Sequence, residues 1–419
     1  MPPRSSSESG SVNKPHALFQ AITGLLVIIY LGFILQYGAR VSLILLTLMA
    51  FTTLPLFISK RVLTVETVTA NPANRYILGA FLFYSLVWLI DVLVSDRADV
   101  SELERPIKVL ICVALFLYFS VVRVDAKFLL IGLCASVSVL AFMLYQSFGT
   151  AEDNRYGLGL NQNALAYLIT AEVLLLSALL SVYKKVWVRI FISAFIVTGF
   201  VVSLYTGSRV IFLCYGGFLI IFLWVHRREL TLKGVTAAAF VALFALFLAW
   251  KNDSISSRFI EIKPEIEAIY SGDYSSSLGH RAGLYKLWFI SIEDRFLLGA
   301  DDLELSDMAE LAQAQGLISL VDRDWLASYS HFHNEYLNTL MFRGILGLLS
   351  LVSVLAIPFF VTERDRKLLL SAVLTPLLLG GLVDSPFTGG TYLVFVFVMV
   401  ALVANLRIGS PRSDSQEAS

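Results

Sequence analysis

Apolar stretches of roughly 17 to 22 residues recur along the whole 419-residue chain. A helix of that length crosses roughly 30 Å of hydrocarbon at about 1.5 Å per residue. Twelve can be delimited, at 17–37, 41–59, 76–95, 109–122, 128–148, 163–183, 186–206, 209–225, 234–250, 344–361, 367–383 and 390–406. Lipid offers no water to an unpaired backbone, so only helices or closed barrels span it, and the polar–apolar alternation of barrel strands is absent. The expected fold is therefore all-α, a polytopic membrane protein of about 12 transmembrane helices. The first run is too long for a cleaved leader's apolar core and reads as an anchor. Composition agrees, since 57% of residues are hydrophobic and 15% charged, outside the range of a soluble domain. The formal net charge is zero, so nothing points to a nucleic-acid partner. Cys112, Cys134 and Cys214 each lie inside an apolar run and read as small buried hydrophobes.

Twelve crossings place both termini on one side, and the basic residues say which. Residues 1–16, 60–75, 123–127, 184–189, 226–233, 362–367 and 407–419 hold 18 Lys and Arg, whereas the opposite short loops hold six. The positive-inside rule makes the first set cytoplasmic. The expected organisation is a disordered cytoplasmic tail (1–16), helices 1–9 (17–250), a large outward loop (251–343), helices 10–12 (344–406) and a second cytoplasmic tail (407–419). In a Gram-negative cell the loop faces the periplasm, where its residues 251–333 are expected to form a cap of short helices.

That loop carries eight basic and fifteen acidic residues, so an arginine meant for an anion has to be positioned individually. Arg209, in the turn YTGSRV, falls at the start of helix 8. A helix N-terminus carries partial positive charge, a poor place for a cation unless an anion joins it; the alternative is an interfacial arginine reaching lipid phosphate. In GHRAGLYKLW, Arg281, Tyr285 and Trp288 share one helical face, as suits either substrate binding or a surface helix with its rings at headgroup depth. In NRYGLGLNQNALAY, Arg155 is the loop's basic residue, and Asn161 or Asn163 caps the following helix.

The loop ends on HFHNEYLNTLMFRGILG, residues 331–347. On one continuous helix, His333 would stand about 16 Å above Gly344 and on nearly the same stripe. Gly344 and Gly347 would then smooth that face for close approach of a helix or a lipid chain. His333 is the candidate general base. His331 is the weaker alternative, and a capping histidine above ordinary helix packing is the non-catalytic reading. The acidic run ADDLELSD, with Asp301, Asp302, Glu304 and Asp307, can attract a divalent cation but reads as a solvated helix approach. No metal and no cofactor are expected.

His333-Asn334, then nine residues, then Gly344-x-x-Gly347 resembles the signature of the lipopolysaccharide O-antigen ligases, a family that also includes O-antigen polymerases and protein O-oligosaccharyltransferases. The twelve-helix topology, the late outward loop ending at the histidine and the outward arginines are similar as well. The resemblance implies a GT-C-like glycosyltransferase of the bacterial inner membrane with its active site facing the periplasm. Its partners would be an undecaprenyl diphosphate-linked glycan, lipid A–core and membrane lipids. The glycan would pass en bloc to the acceptor sugar with inversion and without metal. Arg209 and Arg281 match the family's essential arginines in position. Arg155 and Asn163 match a weaker feature usually written with a proline between two asparagines, where Gln162 stands here. Ligase and polymerase share a donor, and the resemblance does not separate them.

A lipid-linked glycan transporter or flippase is the rival class. Its best support is Glu172 near the middle of helix 6, with Asp91 and Asp384 nearer the outer ends of their spans, because an ionisable group at bilayer depth is a functional candidate by default. A glutamate that simply holds helices together fits equally. The absence of paired, broken repeats in the sequence, and the gathering of polar features on one face, favour an enzyme working at one leaflet.

Overall fold

The computed structural model describes residues 19–32, 48, 71–94, 100–147, 161–227, 247, 250–251, 256–257, 260–299, 305–387 and 390–408. Among these the chain is helical, with no strand beyond a single isolated bridge between Asp125 and Arg407. We label the helices α1 (Phe19–Gly32), α2 (Pro72–Val94), α3 (Val100–Val121), α4 (Ala126–Ser147), α5 (Gln162–Val182), α6 (Val186–Tyr205), α7 (Val210–His226), α8 (Ile262–Tyr270), α9 (Ser277–Ser291), α10 (Leu305–Ala314), α11 (Leu320–Leu326), α12 (Glu335–Val361), α13 (Arg364–Gly380) and α14 (Thr391–Ala404). Helices α2, α4, α5, α6 and α12 are long and apolar enough to cross a membrane, and α1, α7 and α14 are shorter apolar helices. Ten of the twelve expected spans therefore fall on helices; the spans 41–59 and 234–250 lie almost wholly outside the described residues.

The sequence sorts these helices by what surrounds them. Helix α5 is buried along most of its length, and every residue of α14 from Tyr392 to Ala404 is buried. Both are apolar all round, as befits helices enclosed by other helices. Helix α13 packs on α5, α7 and α14, while α12 packs chiefly on α2. The outward faces carry Leu82, Leu86, Ile90 and Leu93 on α2, Trp187 and Ile190 on α6, and Leu346 and Leu349 on α12. Water penalises such a surface and lipid accepts it.

Helices α8 to α11 come from the long loop. A second, smaller core joins α9, α10 and α11 to the start of α12, built on Leu284, Leu287, Met308, Phe332 and Met341. Helix α12 departs from the expectation. It begins at Glu335, not at His333, because the Asn334 side chain accepts the Tyr336 and Leu337 N–H groups as its cap. Nor is it continuous: at Gly344 the backbone turns to φ 61°, ψ −164°. The Ile345 N–H bonds the Phe296 carbonyl at 3.0 Å, leaving the helical ladder for the segment that follows α9. A Cβ on Gly344 would run into the Leu297 carbonyl, and one on Gly347 into the Arg343 side chain. Gly344 thus serves the break and the docking of residues 297–298, and Gly347 leaves room for Arg343 and Thr339 in the turn before it.

Candidate functional site

His333 stands just before the α12 cap with φ 48°, a left-handed conformation that histidine adopts more readily than most residues but that still costs about 1–3 kcal/mol. Hydrogen bonds on both sides hold it. Tyr285 Oη shares its one hydrogen between the His333 carbonyl at 3.3 Å and the Leu382 carbonyl at 3.2 Å. The Glu335 N–H reaches the Gly381 and Asp384 carbonyls at 2.8 and 3.0 Å, and Asn334 Nδ2 donates to the Leu382 carbonyl at 2.9 Å. The start of α12 is thereby sewn to the turn between α13 and α14.

That turn supplies Asp384, whose Oδ1 lies 3.2 Å from His333 Nδ1. The same oxygen accepts the Ser385 N–H at 2.9 Å, while Oδ2 accepts from Asn163 Nδ2 at 2.8 Å and Tyr167 Oη at 3.3 Å. Burial would raise the Asp384 carboxyl, but the His333 hydrogen bond, the Ser385 N–H and the two imidazoles outweigh it and hold the group below the usual carboxylate range. An ionised Asp384 only accepts, so the His333 Nδ1 that faces it carries the hydrogen, and the neutral form of the ring has its lone pair on Nε2.

Asn163 is therefore a partner of the carboxylate, not a cap. Asn161 caps α5, accepting the Asn163 N–H at 2.9 Å. Asn163 Oδ1 in turn accepts from Ser208 Oγ at 3.0 Å, so a continuous chain runs from His333 through Asp384 and Asn163 to the residue before Arg209. Arg209 is the backbone N-cap of α7, with no side-chain cap bond. Anions do join it: Glu261 and Glu265 lie 3.6 and 3.8 Å from its guanidinium. Arg281, on α9, has a buried Nε without a hydrogen-bond partner, and its charge acts on Tyr285 and Tyr329. Arg281 thus lies near Tyr285, which bonds the His333 carbonyl, and the backbone neighbour of Arg209, Ser208, is linked to His333 through Asp384 and Asn163. Arg155, Asp301, Asp302 and Glu304 lie outside the described residues, and Asp307 sits in the first turn of α10.

Tyr285 and Trp288 do share a face of α9, but they bond the protein: Trp288 Nε1 donates to the Leu337 carbonyl at 3.0 Å. Asp91 pairs with Arg343 at 3.1 Å. His331 lies beside His333, ring centroids 4.4 Å apart. Burial, with His333 and Arg105 adding to it, pushes its imidazole down to about 4, against the pull of Asp384. His331, His333 and Asp384 offer ligand atoms within 4.8 Å of one another, the one such group of three among the described residues. Sequence reasoning passed over Asp384 as the partner of His333, since 51 residues separate them; its only signal was a carboxylate at the outer end of a span. It also passed over Glu335, a buried carboxylate accepting the Phe387 N–H at 3.0 Å.

The described polar groups of this helical protein thus centre on a histidine–aspartate pair, at 3.2 Å, where α12 begins. Residues 194–352 match the family model described as O-antigen ligase. That stretch, which contains Arg209, Arg281, His333, Gly344 and Gly347, is similar to the O-antigen ligase family. The family indicates a glycosyltransferase-like ligase activity in a setting of lipid-linked glycan and membrane lipid. The chain is also similar to an uncharacterized protein of Haemophilus influenzae, 19% identical over 294 residues, which span 68% of this chain and 72% of that protein.

Proposed function

We propose that the protein transfers a finished glycan en bloc from undecaprenyl diphosphate to an acceptor sugar of lipid A–core, at the periplasmic face of the bacterial inner membrane, with inversion and without metal. The observation that carries the reading is the His333–Asp384 contact, because it gives the family histidine the tautomer a general base needs. The acceptor hydroxyl gives its proton to His333 Nε2 as its oxygen attacks the anomeric carbon. The bond from that carbon to the diphosphate oxygen breaks, and the lipid diphosphate leaves. Asp384 stabilises the imidazolium that forms. The leaving group needs charge neutralisation, which Arg209 and Arg281 supply through charge-assisted hydrogen bonds of about 1.5–3 kcal/mol each; Arg155 is a further candidate for that role. Glu261 and Glu265 yield Arg209 to the incoming phosphates.

A purified assay with lipid-linked donor and lipid A–core acceptor tests this. His333→Ala is expected to lower transfer by about 10²–10⁴-fold, the usual contribution of a general base; near-normal transfer by this variant would remove the role. In cells, a deletion strain should lose polymer on lipid A while accumulating lipid-linked polymer. Shortened polymer would instead indicate a polymerase, and donor confined to the cytoplasmic leaflet a flippase.

A further inference from the structure

A row of aromatic rings leads away from His333 across the helices of the long loop. Tyr329 meets His333 edge-to-face with centroids 5.4 Å apart, His280 lies 5.7 Å beyond Tyr329, and Trp325 lies 4.9 Å from His280. His331 closes the near end. The sequence sets out the row by alternation. Phe332 turns inward, fully buried in the smaller core, while His331 and His333 on either side stay partly exposed. His280, Trp325 and Tyr329 are likewise neither buried nor fully open. Phe332, Leu284, Leu287 and Met308 supply the deep packing, and Trp325 and Tyr329 pack against it from outside while staying partly exposed.

Each ring presents a flat apolar face bordered by polar atoms, and those atoms are already ordered. Tyr329 Oη and His280 Nδ1 are 2.8 Å apart, and Ser330 Oγ and His331 Nδ1 are 3.1 Å apart. Trp325 is fixed as well: its six-membered ring lies so close over Gly283 that a Cβ there would come within 2.5 Å of it. A preordered ring loses little freedom on binding. A pyranose ring has the complementary surface, a C–H face that stacks on an aromatic ring and a rim of hydroxyls that bond to its edges. We propose that Trp325, Tyr329 and His280 form a subsite for a pyranose ring, next to the sugar that reacts at His333. The proposal rests on the transfer reading above. The two sources of such a ring are the donor glycan and the acceptor core.

The test uses the full chain in lipid nanodiscs and two soluble probes: core oligosaccharide freed of lipid A, and glycan released from its carrier lipid. One of them is expected to change tryptophan emission saturably in the wild-type protein, and Trp325→Phe is expected to abolish that change. In the transfer assay, Trp325→Leu and Tyr329→Leu are expected to raise KM at least tenfold for the substrate bearing the same saccharide, with a much smaller effect on kcat. A rise for the core substrate assigns the ring to the acceptor, and a rise for the lipid-linked substrate assigns it to the donor. Trp325→Phe, which keeps an aromatic ring, carries the kinetic test should the leucine variants fail to fold, and is expected to show a smaller rise. No emission change with either probe, a change that persists in Trp325→Phe, or unaltered KM for both substrates would each overturn the subsite. If the wild-type protein moves no glycan from a polyprenyl diphosphate, the transfer reading fails, while the emission arm still decides whether a saccharide binds.

Discussion

Asp384 is the residue on which the chemistry turns, because it does for His333 what solvent cannot: it fixes the ring and the side of the ring that carries the proton. Replacing it by Asn keeps the shape and removes the charge. Asp384→Asn is expected to lower kcat by roughly 10²-fold or more while leaving KM for the donor near its wild-type value, measured with the same purified assay; an unchanged kcat would show that Asp384 only holds the turn. His331 makes a separate, thermodynamic prediction. Its folded imidazole is pushed down to about 4, against about 6.5 unfolded, so between those values the unfolded chain binds the extra proton. Its contribution to stability is complete above about 6.5 and is lost as pH falls toward 4. Thermal melts of His331→Gln should therefore lose less midpoint than wild type across that interval. His280 is lowered too, by burial and then by His333, and will keep part of the slope. From sequence the histidine was legible because an imidazole at the edge of an apolar run is unusual; the carboxylate was not, because nothing local ties residue 384 to residue 333.

At the scale of elements, the apolar runs located the helices well, since length and hydropathy are properties of a segment by itself. The start of α12 was less legible: measuring back from Gly344 assumed an unbroken helix, although Asn334 before Glu335 is an ordinary capping signal and glycine is the one residue that accepts the backbone angles at 344 without strain. Gly344→Ala should cost at least about 1–3 kcal/mol, since it adds a strained φ and a collision with the Leu297 carbonyl. A lowered thermal midpoint with loss of transfer is expected, and an unshifted midpoint would mean that the break is dispensable. Helix α8 offers the opposite kind of change. It buries none of its residues, yet with Glu261 just before it presents two carboxylates to Arg209. If these yield to the donor's phosphates, Glu265→Gln should lower KM for the lipid-linked donor severalfold at low salt, and less at high salt because screening weakens the competing pair. A raised KM would make Glu265 part of the binding site instead.

Among the described residues the polar groups of the candidate site gather at the ends of helices, and Glu172 does not. His333, Asp384, Asn163 and Ser208 come from four separate segments and are joined by one run of hydrogen bonds; no pattern within any one segment announces the other three. Glu172 stands apart, fully buried, with its two carboxylate oxygens 2.8 and 2.9 Å from Ser136 Oγ. A carrier that moves protons would need this carboxyl to change charge. An enzyme working at one leaflet needs it only to bond α5 to α4, since an unpaired polar group in that interior is costly. Glu172→Gln separates the two, because glutamine keeps an acceptor for the Ser136 hydroxyl and cannot ionise. Transfer within about threefold of wild type, a change of under ~0.7 kcal/mol, and an unchanged thermal midpoint are expected. Glu172→Leu, which leaves Ser136 without its partner, should lower the midpoint by about 1–3 kcal/mol in stability. Loss of transfer in the glutamine variant with the midpoint intact would give Glu172 a charged role and return the carrier reading to contention.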